Sequence, residues 1–239
     1  MFSENVSDFL QKPDQVIPAI VDTLGYLSNT DIPLQKALHA LHSFVNNAEY
    51  SKITNILDEM INVLLPYMTH ESLGVQKWTM EILSSVVIAA DSKIEKYFDT
   101  LMTPCEYIFK NTTLKQSELK SQALETIGQL AKAVGREKFA PYLEEYSQMS
   151  LETLQNQEYH FMREACFSYF CSISKFMKSD MASILPSIVE QIFITIERDD
   201  LKVNNQRSPQ DFSLDSDSDK EQDVCGKVEA FDEKASAIN

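Results

Sequence analysis

Six carboxylates stand close together near the end of the sequence, in a stretch without an apolar period. They are Asp211, Asp215, Asp217, Asp219, Glu221 and Asp223, with Lys220 as the one cation in that span. Residues 201–227 around them are too polar to bury a core, so we expect this stretch to be disordered. Flexible carboxylates attract Lys-rich peptides over a distance set by salt. The stretch is therefore either a binding segment for basic partners or a solvated spacer.

Two serines inside this acidic stretch are candidates for phosphorylation. Ser216 stands three residues before Asp219, and Ser218 stands three residues before Glu221. A kinase directed by acidic residues could use both sites, and each phosphate would add about −1.5 to −2 charge. Short sites of this kind also arise by chance, so both interpretations stay open.

No other group of residues supports catalysis or cofactor binding. His39 and His42 lie one helical turn apart, but no third ligand follows nearby, which favours partly exposed helix histidines over a metal site. Cys166 and Cys171 lack the spacing of a redox pair, and the five glycines are too scattered for a phosphate-binding loop. We predict a protein that is not an enzyme and has no catalytic, cofactor-binding or metal site.

Composition and charge narrow the class of protein further. The 239 residues carry a net charge of −15, which disfavours direct binding to nucleic acid or to an anionic membrane and favours basic partners. Few glycines and many Leu, Ile, Met, Glu, Lys and Ala residues favour helices over hairpins. The sequence contains no run of eighteen apolar residues, so we expect no membrane span. The four cysteines show no metal spacing, as is typical of buried thiols in a reducing compartment.

The helical pattern repeats along the chain. Similar frames begin at Leu34, Val75, Lys120 and Met162, and each opens a helix with a buried face. The starts are 41, 45 and 42 residues apart. Periods of about 40–47 residues with two helices each are typical of HEAT-type solenoids. The predicted fold is all-α, a right-handed HEAT-repeat superhelix built from antiparallel helix pairs.

The first helix of each predicted repeat contains a proline. Pro18, Pro104, Pro141 and Pro186 stand at similar points, whereas Pro66 lies at the end of its helix. Because proline removes a hydrogen bond and crowds the preceding turn, we expect first helices to bend at the first four positions.

These helices define one array over residues 1–239. We expect about four complete repeats at 14–46, 51–90, 92–134 and 137–178, and a partial fifth at 181–239 that contains the acidic insertion 201–227. The predicted helix pairs are 14–28 with 32–46, 51–68 with 73–90, 92–110 with 116–134, and 137–156 with 158–178, and helix 181–198 opens the fifth repeat. The second helix of the fifth repeat is predicted to start near Val228.

Three residues after the start of its frame, each second helix has a position that we call the alanine slot. The opposite face of these helices is polar. Ala37, Ala123 and Ala165 should allow close helix packing, and Trp78 breaks this rule in the second repeat. The polar face is predicted to contact an extended partner through Gln76, Glu81, Gln122, Glu125 and Glu164.

Three joints between predicted repeats carry a family resemblance. They are IAADSKIEKYFDTLMTPCEYIF (88–109), ALETIGQLAKAVGREKFAPYLEEYSQMSLETLQ (123–155) and REACFSYFCSISKFMKSDMASILPSIVEQI (163–192). In order and spacing, they resemble the central repeats of the importin-β superfamily of nuclear transport receptors. The resemblance covers nearly the whole chain and is strongest to the branch that carries ribosomal proteins and core histones.

The resemblance implies a function and a set of partners. It implies a nuclear import receptor that binds basic cargo such as ribosomal proteins and histones on the concave second-helix side, and it also implies contacts with the GTPase Ran and with phenylalanine-glycine nucleoporins. The implied location is the cytoplasm, the nucleus and the nuclear pore. The family's Ran-binding N-terminal repeats and its C-terminal repeats are not recognisable, so we expect a fragment or a shortened product. The alternative is a HEAT scaffold of another class, such as a phosphatase regulatory subunit or an assembly platform.

Overall fold

The computed structural model describes residues 13–27, 31–113, 116–155 and 159–197. These ranges contain helices and turns and no β-strand. The α-helices are α1 (Pro13–Leu27), α2 (Asp31–Asn47), α3 (Tyr50–Asn55), α4 (Leu57–Leu64), α5 (Leu73–Ala90), α6 (Phe98–Asn111), α7 (Ser117–Gln155), α8 (His160–Met177) and α9 (Leu185–Glu197). Short 3₁₀ helices cover Leu65–Thr69, Asp91–Tyr97 and Lys178–Ser183.

The helices pack in pairs, and each pair packs on the next. α1 packs on α2, α4 on α5, and α6 on α7. Gly135 divides α7 into an N-terminal arm (117–134) and a C-terminal arm (136–155), and α6 contacts both arms, at Lys120 and at Tyr146. α8 also packs on α7, where Cys166 lies beside Ser150 of the C-terminal arm. The second helices also touch in sequence, α2 with α5, α5 with α7, and α7 with α8. One apolar core therefore continues from pair to pair.

The second helices share one pattern of buried residues. From the first buried position the next ones follow after 4, 7 and 11 residues, which keeps them on one helix face. The pattern is formed by Leu34, Leu38, Leu41 and Val45 in α2, by Val75, Thr79, Ile82 and Val86 in α5, and by Met162, Cys166, Tyr169 and Ile173 in α8. In α7, Leu124, Ile127 and Ala131 follow Lys120, whose ammonium lies 5.1 Å from the ring centroid of Phe109.

A glycine marks the close approach of α7 and α8. A Cβ added at Gly128 would lie 3.2 Å from the backbone Cα of Tyr169. Such a contact is tighter than packed interiors normally allow. Gly128 is therefore fixed by the close approach of the two helices.

Three joints between helices share a backbone feature. One follows α5, one follows the N-terminal arm of α7, and one follows α8. Each contains a residue with positive φ, namely Asp91 (47°), Gly135 (74°) and Lys178 (48°). A buried apolar residue follows soon after each one, at Ile94, Phe139 and Met181. Because residues that carry a side chain rarely adopt positive φ, the backbone at Asp91 and at Lys178 is strained.

The prediction that Pro186 bends the interior of a first helix is wrong. α9 begins at Leu185, so Pro186 stands in the first turn, where its missing N–H has no helical partner to lose. The chain changes direction before it, because the segments His160–Ser183 and Leu185–Glu197 meet at 106°. Pro18, Pro104 and Pro141 do lie inside helices, and a bend at those three points stays a prediction.

The observed helix bounds differ from the predicted ones mainly in the first helices. The predicted helix 73–90 coincides with α5, but the predicted helix 51–68 is divided into α3, α4 and a 3₁₀ turn. The predicted helix 92–110 opens with a 3₁₀ turn before α6. Tight 3₁₀ turns are common where helices begin or end. The division of these helices into four complete repeats and a partial fifth stays our interpretation.

Several sequence predictions lie outside the described residues. They are the acidic stretch 201–227 with its six carboxylates, the sites Ser216 and Ser218, and the helix expected near Val228. Within the described ranges no single helix is long and apolar enough to cross a membrane. The segments 160–183 and 185–197, which meet at a sharp bend, have sufficient length and apolar content only when they are counted together.

Candidate functional site

Polar and aromatic side chains from three neighbouring second helices meet on one surface. α2 contributes His39 and His42, α5 contributes Lys77, Trp78 and Glu81, and α7 contributes Glu118 and Glu125. We call these seven residues the second-helix cluster. Positions three, four or seven apart recur on each helix, which places the polar groups of each helix on one face.

Ring contacts join α2 to α5. The ring centroids of His39 and Trp78 are 4.3 Å apart, and those of His42 and Trp78 are 5.6 Å apart. Trp78 occupies the slot where the other second helices have alanine, and its side chain is half-buried against these imidazoles. The exception noted in the sequence thus forms an aromatic contact between two repeats.

A chain of polar contacts runs beside these rings. Asn46 Nδ2 lies 2.8 Å from Nε2 of His42, and Nδ1 of His42 lies 3.9 Å from Oε2 of Glu81. The hydroxyl of Ser85 lies 2.6 Å from Oδ1 of Asn46 and donates to it. Burial, and secondarily the charge of His39, lowers the pKa of His42. A neutral His42 that accepts from Asn46 carries its proton on Nδ1, on the side that faces Glu81.

An ion pair joins α5 to α7. The ammonium of Lys77 contacts the carboxylate of Glu118. Glu81 lies one turn after Lys77 on α5, and Glu125 lies two turns after Glu118 on α7. Within the described part of the chain, the carboxylate of Glu125 has no ion pair. The side of the cluster between α5 and α7 therefore holds three carboxylates and one ammonium.

Both inner carboxylates are destabilised in their ionised form. Burial raises the pKa of Glu81, and the charge of Glu118 raises it further, while Lys77 and His39 oppose the shift. Burial also raises the pKa of Glu125, and repulsion by Glu81 adds to it. With neutral histidines the cluster has a net charge of −2. A cation from a partner would relieve this excess, because opposite charge stabilises a desolvated carboxylate.

The other predicted contact residues are placed differently. The side chain of Gln76 donates to the carbonyl of His70 at 2.5 Å and faces a cavity of about 480 Å³ between the ends of neighbouring helix pairs. Gln122 on α7 and Glu164 on α8 are half-buried. The structure thus brings Glu81 and Glu125 together and leaves Gln76 outside the cluster. The proposed contact roles of all five residues stay predictions.

The contacts within the cluster were not predicted from the sequence. They include the contact of His39 and His42 with Trp78 and the ion pair between Lys77 and Glu118. Two features of the sequence could have indicated these contacts. One is the spacing of His39 and His42 on a single helix face, and the other is the tryptophan at the alanine slot. Among the described residues, no group of three or more His, Cys, Asp or Glu side chains is placed to hold a metal ion.

The fold and this surface define a class of protein. Helix pairs that pack side by side form a solenoid, and a polar strip across successive second helices is a surface on which solenoids bind extended partners. Residues 6–208 match the family model for importin subunit beta-1-like TPR repeats. The chain therefore belongs to the importin-β family, as the sequence resemblance predicted.

Similar proteins agree with this assignment. The chain is 26% identical over 201 residues to importin subunit beta-3 of Saccharomyces cerevisiae, an alignment that covers 81% of this chain and 18% of that protein. Kap121p bound to Nup53p matches with a TM-score of 0.67 at 23% identity, over 94% of this chain and 22% of that chain. Kap121p bound to RanGTP matches with a TM-score of 0.64 at 24% identity, over 77% of this chain and 18% of that chain.

These likenesses confirm the predicted fold, an all-α HEAT-repeat solenoid. The family consists of transport receptors rather than enzymes, which agrees with the prediction of a non-enzymatic protein. The chain spans about a fifth of the length of the relatives that it matches.

Proposed function

We propose that this chain is the cargo-binding part of a nuclear import receptor and that its second-helix cluster binds basic segments of cargo proteins. The observation that carries the proposal is the pair of partly desolvated carboxylates, Glu81 and Glu125, in a cluster with a net charge of −2. A lysine ammonium between them would pair with both carboxylates and lie near the ring of Trp78.

Charge supports basic cargo over other ligands. The whole chain carries −15, which raises the encounter rate with cationic segments. Ribosomal proteins and histones are rich in such segments, and we propose them as the cargo class. The acidic stretch from Asp211 to Asp223 would add long-range attraction, with salt dependence but little energy in any single exposed pair.

The remaining partners follow from the family. Crystal structures show Kap121p bound to RanGTP and Kap121p bound to Nup53p. We propose that the receptor to which this chain corresponds binds the GTPase Ran and phenylalanine-glycine nucleoporins and moves between cytoplasm and nucleus through the nuclear pore. The alternative of a phosphatase or assembly scaffold has no observation in its favour.

Intrinsic fluorescence offers a direct test, because Trp78 is the only tryptophan in the sequence and lies within the cluster. A Lys-rich peptide titrated into the protein should change this emission, and the affinity should fall as salt is raised. The double variant Glu81→Gln, Glu125→Gln should weaken binding about tenfold, which corresponds to about 1.4 kcal/mol.

The matched control is the double variant Glu137→Gln, Glu144→Gln, which removes the same two charges from exposed positions on the C-terminal arm of α7. This variant should bind the peptide almost as the parent protein does. If the variant at Glu81 and Glu125 and the control bind equally well with equal salt dependence, cargo does not use this cluster, and the proposal is wrong.

A further inference from the structure

The second-helix cluster contains a titratable group that the proposed function does not use. His42 is partly buried, and its Nδ1 lies 3.9 Å from Oε2 of Glu81. Burial, and secondarily the charge of His39, holds the pKa of His42 below its ordinary value, so the ring is mostly neutral at pH 7. Acidification therefore adds a positive charge directly beside one of the two carboxylates that we assign to cargo binding.

The charged groups around this ring lie on three helices. They are His39 on α2, Lys77 and Glu81 on α5, and Glu118 and Glu125 on α7. His39 opposes a proton on His42, whereas the groups on α7 act on Glu81. Among the described residues, α1, which also packs on α2, contributes no charge that shifts the pKa of His42. The carboxylate of Glu81 is therefore the group with which protonated His42 can pair.

The other ring nitrogen of His42 begins a chain of hydrogen bonds with a fixed direction. In the neutral state Asn46 Nδ2 donates to Nε2 of the ring over 2.8 Å, and the hydroxyl of Ser85 donates to Oδ1 of Asn46 over 2.6 Å. The backbone carbonyl of Glu81 lies 3.2 Å from the same hydroxyl. Because a hydroxyl has a single proton to donate, Ser85 can serve Asn46 or this carbonyl, but not both.

A proton on Nε2 of His42 reverses this chain. The ring then donates to Oδ1 of Asn46, so the amide turns over and its Nδ2 donates to Oγ of Ser85. The Ser85 hydroxyl turns to the carbonyl of Glu81, while the Nδ1 proton of the ring still faces the Glu81 carboxylate. Because each polar group keeps a partner, the reversal itself adds little to the cost of protonation.

We propose that His42 is a proton-dependent control on the second-helix cluster: protonated His42 pairs with Glu81, reverses the chain through Asn46 and Ser85, and weakens the binding of basic segments. This last step rests on the proposed function, whereas the first two concern the free protein. Protonation changes the net charge of the cluster from −2 to −1, and the imidazolium competes with a cargo ammonium for Glu81. The cluster therefore binds basic segments less tightly as the pH falls below about 6.5.

The free protein tests the reversal without any cargo. NMR of the nitrogen-labelled histidine rings should show neutral His42 with its proton on Nδ1, which is not the tautomer that histidine prefers in water. Asn46→Ala should restore the ordinary form, with the proton on Nε2. In the parent protein the side-chain amide signals of Asn46 should shift with the same midpoint as the ring of His42. A proton on Nε2 of the neutral ring, or an Asn46 amide that does not follow the ring, overturns the proposal.

The effect on cargo is measured as the affinity for a Lys-rich peptide at about pH 7.5 and at about pH 5.5, on either side of the histidine range. Part of the loss at low pH belongs to Glu81 and Glu125, because burial raises the pKa of both. His42→Gln keeps an acceptor for Asn46 but cannot take up a proton. The loss of affinity between the two pH values should be about two- to fivefold smaller in this variant than in the parent protein.

His70→Asn is the matched control, since it removes a histidine outside the cluster and keeps an acceptor for the backbone N–H of Ser72. This variant should show the full loss of the parent protein. An equal loss in His42→Gln and in the parent protein overturns the proposal and leaves the proposed function intact. A peptide that binds at neither pH refutes the proposed function, and with it the last step of this proposal.

Discussion

Lys77 and Glu118 form an ion pair between residues 41 positions apart in the chain. Other ties span nearly the same separation. The hydroxyl of Tyr67 donates to the carbonyl of Leu24, 43 residues earlier, and the ammonium of Lys138 donates to the carbonyl of Glu95, also 43 residues earlier. Each tie joins equivalent parts of neighbouring helix pairs, so polar contacts as well as apolar ones follow the repeat.

Replacement of Gly128 by alanine should destabilise the protein by about 1–3 kcal/mol, because the added methyl group would press on the backbone of Tyr169. Urea unfolding measures this loss. Gly74→Ala is the control, since the new methyl group would meet only the mobile end of the Gln35 side chain. A stable Gly128→Ala protein would contradict the close approach of α7 and α8.

Glycine at the strained joints should stabilise the protein. Asp91→Gly and Lys178→Gly relieve a positive φ, and each should raise the free energy of unfolding by about 1 kcal/mol. Gly135→Ala should have the opposite effect, because alanine would acquire the strain that glycine avoids. Denaturant titration checks both signs, and a loss of stability in Lys178→Gly would refute the account of the joint.

Glu125→Gln should raise the thermal midpoint at neutral pH. Burial and then Glu81 raise the pKa of Glu125 in the folded state above that of the unfolded chain. The folded state therefore keeps its proton to higher pH, and its stability falls as pH rises from the unfolded pKa through the folded one.

Glutamine cannot ionise, so the gain should be present at pH 7 and disappear below about pH 4, where glutamate is protonated in both states. Thermal unfolding between pH 4 and pH 8 measures this difference. Glu144→Gln, at an exposed position, should show no such gain. A gain that is independent of pH would mean that packing and not charge is responsible.

Lys77→Gln should strengthen the binding of a Lys-rich peptide about two- to fivefold, if the cluster is the cargo site. Lys77 competes with the peptide for the same carboxylates, and its removal changes the net charge of the cluster from −2 to −3. Lys132→Gln removes the same charge from an exposed position on α7 and is the control. Weaker binding by the Lys77 variant would mean that Lys77 itself supports the bound segment.

The repeat period made much of the fold predictable. Buried residues at Leu34, Val75 and Met162 recur because each second helix must cover its neighbour, and this same constraint places Glu81 and Glu125 on one side. The joints were less predictable, since lysine is not a residue type that marks a positive φ, and aspartate, although enriched there, adopts negative φ at most positions. The stacking of His39 on Trp78 depends on the distance between two helices, which no local pattern contains.

The joints also determine where the array can change in length. From the positive φ at Asp91 or Lys178 the chain has three residues in which to reach a buried side chain, Ile94 or Met181. An insertion there would rotate every later helix pair relative to the earlier ones. At the opposite edge lies the connection between the first and second helix of one pair. Residues added there need not change how one helix pair is oriented relative to the next. We therefore expect this solenoid to tolerate insertions between the two helices of a pair much better than at the joints between pairs.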